Sequence, residues 1–250
     1  MNFATVRKRT IAVLLVSTVM IVGCQALVRK LLFYPTHHAS DQGLARWMNE
    51  GRLIGFSRHV NNPANVWLLL HGNGGQAADR GYALPAFADH DAVFILEYPG
   101  YGQRPGRLSW SSFDAAAREA YELLRTQFPG TPVCVATESL GSGAGSTLAK
   151  LSQPPDKFVF IVPFDDLKSL ARKKMGWLPV GLMLAGSWDN VESMKGYRGP
   201  VDVFGAEHDA IIPVAHARRL AASIPQAKFV LLPGGHNDWA QQPAVVIRNP

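Results

Sequence analysis

The chain has 250 residues, 47% of them hydrophobic, two cysteines and a formal net charge of +6. That is enough apolar material for one well-buried core, with no repeat, low-complexity tract or linker to divide it. The basic residues are scattered rather than gathered in a stripe, which excludes a nucleic-acid footprint, and no CxxC, HExxH or carboxylate cluster offers a metal site.

Residues 1–23 have a basic start (Arg7, Lys8, Arg9), an apolar run over 11–22 and a small residue, Gly23, just ahead of Cys24. This is a signal-peptide layout. The end, Ile21-Val22-Gly23-Cys24, resembles the bacterial lipobox, in which the cysteine is acylated and becomes the new N-terminus. The alternative is a plain membrane span over residues 10–28, with the three basic residues left in the cytoplasm. The lipobox is preferred because the apolar run is short for a span and is cut by Gly23. Either way the folded domain is expected outside the cytoplasm beside a membrane. The expected organisation is a leader at 1–23, a tether and start of domain at 24–52, and an α/β domain at 53–250. Leu31-Leu32-Phe33-Tyr34-Pro35 reads as an apolar tether that packs on the domain. A disulfide between Cys24 and Cys134 is not expected, since Cys134 falls mid-strand in the core.

Residues 53–59 alternate and read as an outer strand. Residues 65–70 (N-V-W-L-L-L) form a continuous apolar run, as a strand covered on both faces would, and stop at the Gly-rich turn 71–75. Residues 77–89 read as helix, and 91–97 as the next buried strand, which stops at Tyr98-Pro99-Gly100-Tyr101-Gly102. Residues 111–128 form a helix capped by Ser111, with Phe113, Ala117, Ala120 and Leu124 on one face. A short β-branched strand at 133–135 then leads through Thr137-Glu138-Ser139-Leu140-Gly141 into a run of small residues. Strands at 157–162, 201–205 and 227–232 follow, with a helix at 214–223 between the last two. Such alternation predicts a mostly parallel central sheet with helices on both faces. Ligands bind beyond the carboxyl ends of such strands, where the turn at 71–75, the turn at 98–102, Ser139, Asp209 and His236 converge.

T-E-S-L-G has the layout of a nucleophile elbow, G-x-S-x-G, with Thr137 where the first glycine usually stands. Asp209 lies just past a strand and ahead of Ile211-Ile212-Pro213. His236 lies just past the last strand, in Pro233-Gly234-Gly235-His236-Asn237-Asp238. A serine hydroxyl needs a base to take its proton and an acid to orient that base, and these types occur in the order Ser139, Asp209, His236. Alternatives stay open for the acid. Asp209 also reads as a helix N-cap, and Glu207 and Asp238 are the other carboxylates nearby. His236 competes with His71, read as a brace for the 71–75 turn, and with His208, read as a loop residue.

On these motifs the chain resembles the α/β-hydrolase superfamily, and more narrowly its small, nearly lidless, membrane-anchored serine hydrolases. That branch has an H-G-N-x-G turn, a Y-x-G-Y-G turn and a D-x-x-x-P acid turn, matched here at 71–75, 98–102 and 209–213. The resemblance covers roughly residues 32–239. It implies cleavage of carboxylic esters or thioesters, including lipid-like substrates, through a Ser139–His236–Asp209 triad and an acyl-enzyme. It also implies an oxyanion hole made by the backbone N–H groups of Asn73 and Leu140, and no cofactor or metal. Tyr98 and Tyr101 read equally as pocket lining and as core packing, and Glu138 as a polar contact within the site. The alternatives are a serine peptidase or amidase on the same fold and, favoured only by Thr137, a catalytically inactive binding lipoprotein. With some 35 residues between Phe164 and Pro200, any cap is small and the pocket open. Within it, Lys168, Arg172, Lys173 and Lys174 precede Trp177, Leu178, Leu182, Met183 and Leu184. This stretch reads either as a solvated basic helix followed by core residues or as a rim that meets anionic headgroups.

Overall fold

The computed structural model describes residues 32–174, 184 and 186–247. The leader, Cys24 and Leu31 lie outside the described residues, as do Trp177, Leu178, Leu182, Met183 and the side chain of Lys174. Among the described residues, no helix is long and apolar enough to cross a membrane.

The continuous apolar runs become strands buried along their whole length: β4 (Val66–Leu70), β6 (Ala92–Leu96), β7 (Val133–Glu138) and β8 (Phe158–Ile161). With β9 (Val201–Ala206) and β10 (Ala227–Leu232) they form parallel pairs in the order β10-β9-β8-β7-β4-β6. The side chains of β4 show why such a run carries no alternation. Val66, Leu68 and Leu70 join Phe113, Ala117 and Leu124 of helix α1 (Trp110–Gln127) on one face. Trp67 and Leu69 join Ala77, Ala78 and Phe87 on the other. Burying each such aliphatic side chain contributes about 1.5–3 kcal/mol relative to exposure.

The outer-strand expectation is corrected. The strand β3 (Arg52–Arg58) pairs antiparallel with β6 on one side and with a further strand, β2 (Ala45–Asn49), on the other. The edge strand β2 buries only Trp47 fully and is broken by a register shift at Trp47/Met48, so it carries no hydrophobic period. Among the described residues the sheet thus has eight strands and begins before residue 53. The tether packs as expected where it is described. Phe33 is buried with its ring 5.1 Å from Trp110 and 5.0 Å from Phe113. The two-residue strand β1 (Tyr34–Pro35) pairs with β5 (Gly74–Gly75) of the 71–75 turn.

Two further differences are local. The helix expected at 77–89 is a 3₁₀ segment, Ala77–Ala86. Gly81 and Pro85 lie inside it, and Pro85 lacks the N–H that an α-helical ladder requires. The cap of α1 is Ser109 rather than Ser111: its side chain accepts from the Ser112 N–H at 3.2 Å, satisfying one of the orphan donors of the first turn.

Candidate active site

The turn between β7 and helix α2 (Gly141–Thr147) is tight enough that Ser139 adopts φ 51°. A side chain in this left-handed region costs roughly 1–2 kcal/mol, and persists here because the surroundings hold it. The Ser139 N–H donates to the Ile161 carbonyl at 2.9 Å, and its carbonyl accepts from the Ser142 N–H and hydroxyl at 3.0 and 2.7 Å. Helix and sheet are so close that a Cβ on Gly141 would lie 2.1 Å from the Leu70 carbonyl oxygen. The missing first glycine of the motif has a direct account. The Thr137 methyl occupies the space a Cβ on Gly145 would need, 2.4 Å away, so the glycine has moved from the strand to the facing helix.

Ser139, Asp209 and His236, from three different strand ends, meet in one chain of hydrogen bonds. His236 Nε2 lies 2.9 Å from Ser139 Oγ, and His236 Nδ1 lies 2.6 Å from Asp209 Oδ2. All three residues are buried. Asp209 is also the turn carboxylate that the N-cap reading described: its Oδ1 accepts from the N–H groups of Ile211 and Ile212 at 2.8 and 2.7 Å. One oxygen thus fixes the turn, leaving the other for the histidine. The rival acids lie elsewhere. Asp238 accepts from the Gly235 N–H at 2.7 Å and shapes the histidine turn, and Glu207 faces solvent beside His208.

The 71–75 turn lies against this relay. His71 is fully buried, with its ring 4.5 Å from that of Tyr98, whose hydroxyl donates to the His71 carbonyl at 2.9 Å. The side chain of Asn73 clamps the tether: its Nδ2 donates to the Leu32 carbonyl, and its Oδ1 accepts from the Tyr34 N–H and the Tyr101 hydroxyl. That clamp was not read from the sequence, where only the Asn73 backbone was considered. Among the described residues, no internal hydrogen bond takes up the backbone N–H of Asn73 or of Leu140.

No family model matches this chain. Over 178 residues it is 34% identical to an uncharacterized protein of Mycobacterium tuberculosis, a match covering 68% of this chain and 62% of that protein. The chain spans less than two thirds of the length of the curated relatives it matches. Among solved structures it superimposes on an esterase of Pyrococcus furiosus with a TM-score of 0.60 at 12% identity, over 84% of this chain and 95% of that one. It also superimposes on the thioesterase domain from the curacin biosynthetic pathway with a TM-score of 0.57 at 15% identity, over 81% and 95%. The chain has the α/β-hydrolase fold.

On this α/β-hydrolase frame, Ser139, Leu140 and Asn73 line an open cleft of about 320 Å³, near the lower end of small-molecule sites. Its walls are apolar, with Leu32, Trp110, Phe164, Leu170 and Ile212 among them. The pocket-lining reading of Tyr98 and Tyr101 is corrected: both are fully buried beneath the 71–75 turn and pack on Phe113. Burial pushes both phenols well above their ordinary pKa, so they are neutral props. Glu138 is also absent from the cleft lining and points to the other side of the elbow, where it accepts from Gly72, Tyr82 and Trp239. Cys134 is a free buried thiol, pushed up to about 12 by burial, and takes no part. Among the described residues no group of His, Cys, Asp and Glu could hold a metal ion.

Proposed function

We propose that the chain is a serine hydrolase of carboxylic esters or thioesters. The observation that carries this reading is the unbroken relay from Asp209 through His236 to Ser139 at 2.6 and 2.9 Å, opening beside an apolar cleft. Ser139 Oγ attacks the acyl carbon while His236 Nε2 takes its proton. The carbonyl π electrons move to oxygen, and the oxyanion is met by the N–H groups of Asn73 and Leu140. Asp209 keeps the proton of the imidazole on Nδ1 and stabilises the imidazolium. His236 then returns a proton to the departing alkoxide or thiolate, and water repeats the sequence in reverse on the acyl-enzyme. The apolar walls take the acyl chain. Replacement of the motif glycine by Thr137 does not argue for an inactive scaffold, because Gly145 makes room for it.

The anchor is part of the same proposal. Leu32 and Tyr34, the first described stretch after the apolar N-terminal run, line the cleft. A lipid-modified or membrane-spanning N-terminus would therefore hold the mouth of the site close to a bilayer, outside the cytoplasm, where lipid-like esters are concentrated. The test is covalent labelling of the purified protein with a fluorophosphonate, together with turnover of an ester series of increasing acyl length against aminoacyl amides. Wild type should label and cleave esters, and Ser139→Ala should do neither while keeping its melting temperature. Labelling that survives Ser139→Ala would sink the assignment, and faster cleavage of amides would make the chain a peptidase.

A further inference from the structure

The carboxylate next to the nucleophile is used by nothing in this mechanism, yet it accepts hydrogen bonds from three residues and lies beside a guanidinium. Glu138 ends β7, is buried, and turns away from the acyl cleft. Its Oε2 accepts from the Gly72 N–H at 3.2 Å, the peptide immediately before the Asn73 N–H. Its Oε1 accepts from Trp239 Nε1 at 3.3 Å, three residues past His236. The Tyr82 hydroxyl reaches both oxygens at 3.0 Å, and Arg80 Nη1 lies 3.9 Å from Oε2. Burial opposes the charge on Arg80, but Glu138 and Tyr82 outweigh it and raise its pKa, so the guanidinium stays charged beside the carboxylate. Burial and the neighbouring Glu138 push Tyr82 well above its ordinary value, so it remains a neutral donor.

We propose that Glu138 is a positioning residue that locks the oxyanion turn and the histidine loop to the nucleophile strand. The Gly72 and Trp239 donors it holds belong to chain segments more than a hundred residues apart in sequence, and one side chain on the elbow strand reaches both. Rotation of the Gly72 peptide would carry the Asn73 N–H off the oxyanion, which develops only in the transition state. Movement of Trp239 would shift the His236 turn in the same way. Gly72 suits this arrangement: a Cβ there would lie 3.3 Å from the Glu138 carboxyl carbon, so the glycine lets the carboxylate close on the turn.

This inference rests on the hydrolase reading, and the test separates the two. The full chain is purified in detergent, and kcat and KM are measured on p-nitrophenyl butyrate. The inhibition constant of phenylboronic acid is measured in parallel, since Ser139 Oγ donates its electron pair to boron, its proton passes to His236, and the resulting tetrahedral anion uses the oxyanion donors. Glu138→Gln is isosteric but has one acceptor oxygen for the Gly72 and Trp239 donors, while the Tyr82 hydroxyl, which now donates to both carboxylate oxygens, can turn to accept from the new amide N–H. It should lower kcat roughly 10–100-fold, somewhat less than outright removal of an oxyanion donor, and weaken the boronate by a similar factor. KM and the melting temperature should stay near the wild-type values. In a Trp239→Phe background the competing donor is gone, the Gln oxygen can serve Gly72 alone, and the further effect of Glu138→Gln should shrink to less than about threefold, a coupling that general destabilisation does not produce. Wild-type kcat and boronate affinity in Glu138→Gln would overturn the positioning role, as would equal losses in both backgrounds. A wild-type protein that neither hydrolyses the ester nor reacts with fluorophosphonate would overturn the hydrolase reading itself.

Discussion

At the scale of single residues, the site is selective in ways that chemistry at one position can test. Asp209 serves two partners with two oxygens, so Asp209→Asn keeps the turn hydrogen bonds while presenting an amide to His236 and favouring the wrong tautomer. Turnover of a soluble ester should fall by about 10⁴, whereas Glu207→Gln, at the surface, should leave it within about twofold. The reverse pattern in the same assay would make Glu207 the acid. The exchange of glycine between strand and helix gives a second prediction. Gly145→Ala drives a methyl into Thr137, 2.4 Å away, and should cost about 1–3 kcal/mol in urea unfolding. In a Thr137→Ala background the same substitution should be nearly neutral, because its Cβ is then 3.7 Å from that of residue 137. Additive costs would disprove the account of the departed glycine.

At the scale of elements, the segment beyond β8 is tied to the elbow helix by polar and aromatic contacts rather than by size. Asn190, at the start of helix α4 (Asn190–Met194), donates to the Ser142 hydroxyl and the Phe164 carbonyl, and accepts from Ser146. The indole of Trp188 covers Gly143, where a Cβ would lie 2.2 Å from it. Asp165 anchors the start of helix α3 (Leu167–Lys174) to His216 and Arg219 of helix α5 (Ala215–Ala222). Burial would raise the Asp165 pKa, but those two partners outweigh it and hold the carboxyl well below the usual range. Trp188 Nε1 donates to Asp114 of α1 at 2.7 Å, and here the balance is opposite. Burial raises Asp114 from 3.8 to about 6, against the pull of Trp188 and Arg118. Between those pH values the folded state holds a proton that the unfolded chain has released. Stability therefore falls as pH rises from about 4 to 6 and stays lower above. Asp114→Asn keeps an acceptor for Trp188 and should gain about 1–2 kcal/mol at pH 7.5 but nothing near pH 4. Urea melts at the two pH values decide it: equal gains at both would mean that titration of Asp114 is not the cause.

At the scale of the whole molecule, the cleft opens beside exposed apolar and basic side chains, and the bilayer proposal can be tested there. Tyr34 and Ile211, on its rim, are 59% and 45% exposed. Helix α3 turns Leu167, Leu170 and Ala171 to the cleft and leaves Arg172 and Lys173 in solvent. Each basic residue near an anionic headgroup layer contributes about 1 kcal/mol, and salt screens it. A protein lacking residues 1–24 is expected to bind phosphatidylserine vesicles weakly and in a salt-sensitive way. Reversal of charge at Arg172 and Lys173 should reduce both that binding and turnover of vesicle-borne esters, sparing a short soluble ester. Sedimentation with vesicles at two salt concentrations measures it, and unchanged binding in the reversed variant would refute the orientation.

The parallel sheet and the order of site residues were legible in the chain itself, because both depend on local patterning. Runs such as Val66–Leu70 are apolar on every residue only when both faces are covered, and the strand-end turns carry Ser139, Asp209 and His236 in an order that one known fold uses. The sequence favoured Asp209 through the acid turn at 209–213 but could not say which of its oxygens meets which partner, nor exclude Glu207 and Asp238, since that depends on distances between strand ends far apart in the chain. It concealed β2, whose single fully buried residue leaves no period, and it left Tyr98 and Tyr101 undecided between cleft and core. Thr137 looked like damage to the motif until packing against Gly145 accounted for it. Glu138 read as one polar residue beside a nucleophile. Only the tertiary structure brought Gly72 and Trp239 to its two oxygens, because a hydrogen bond between distant segments leaves no local pattern in the sequence that forms it.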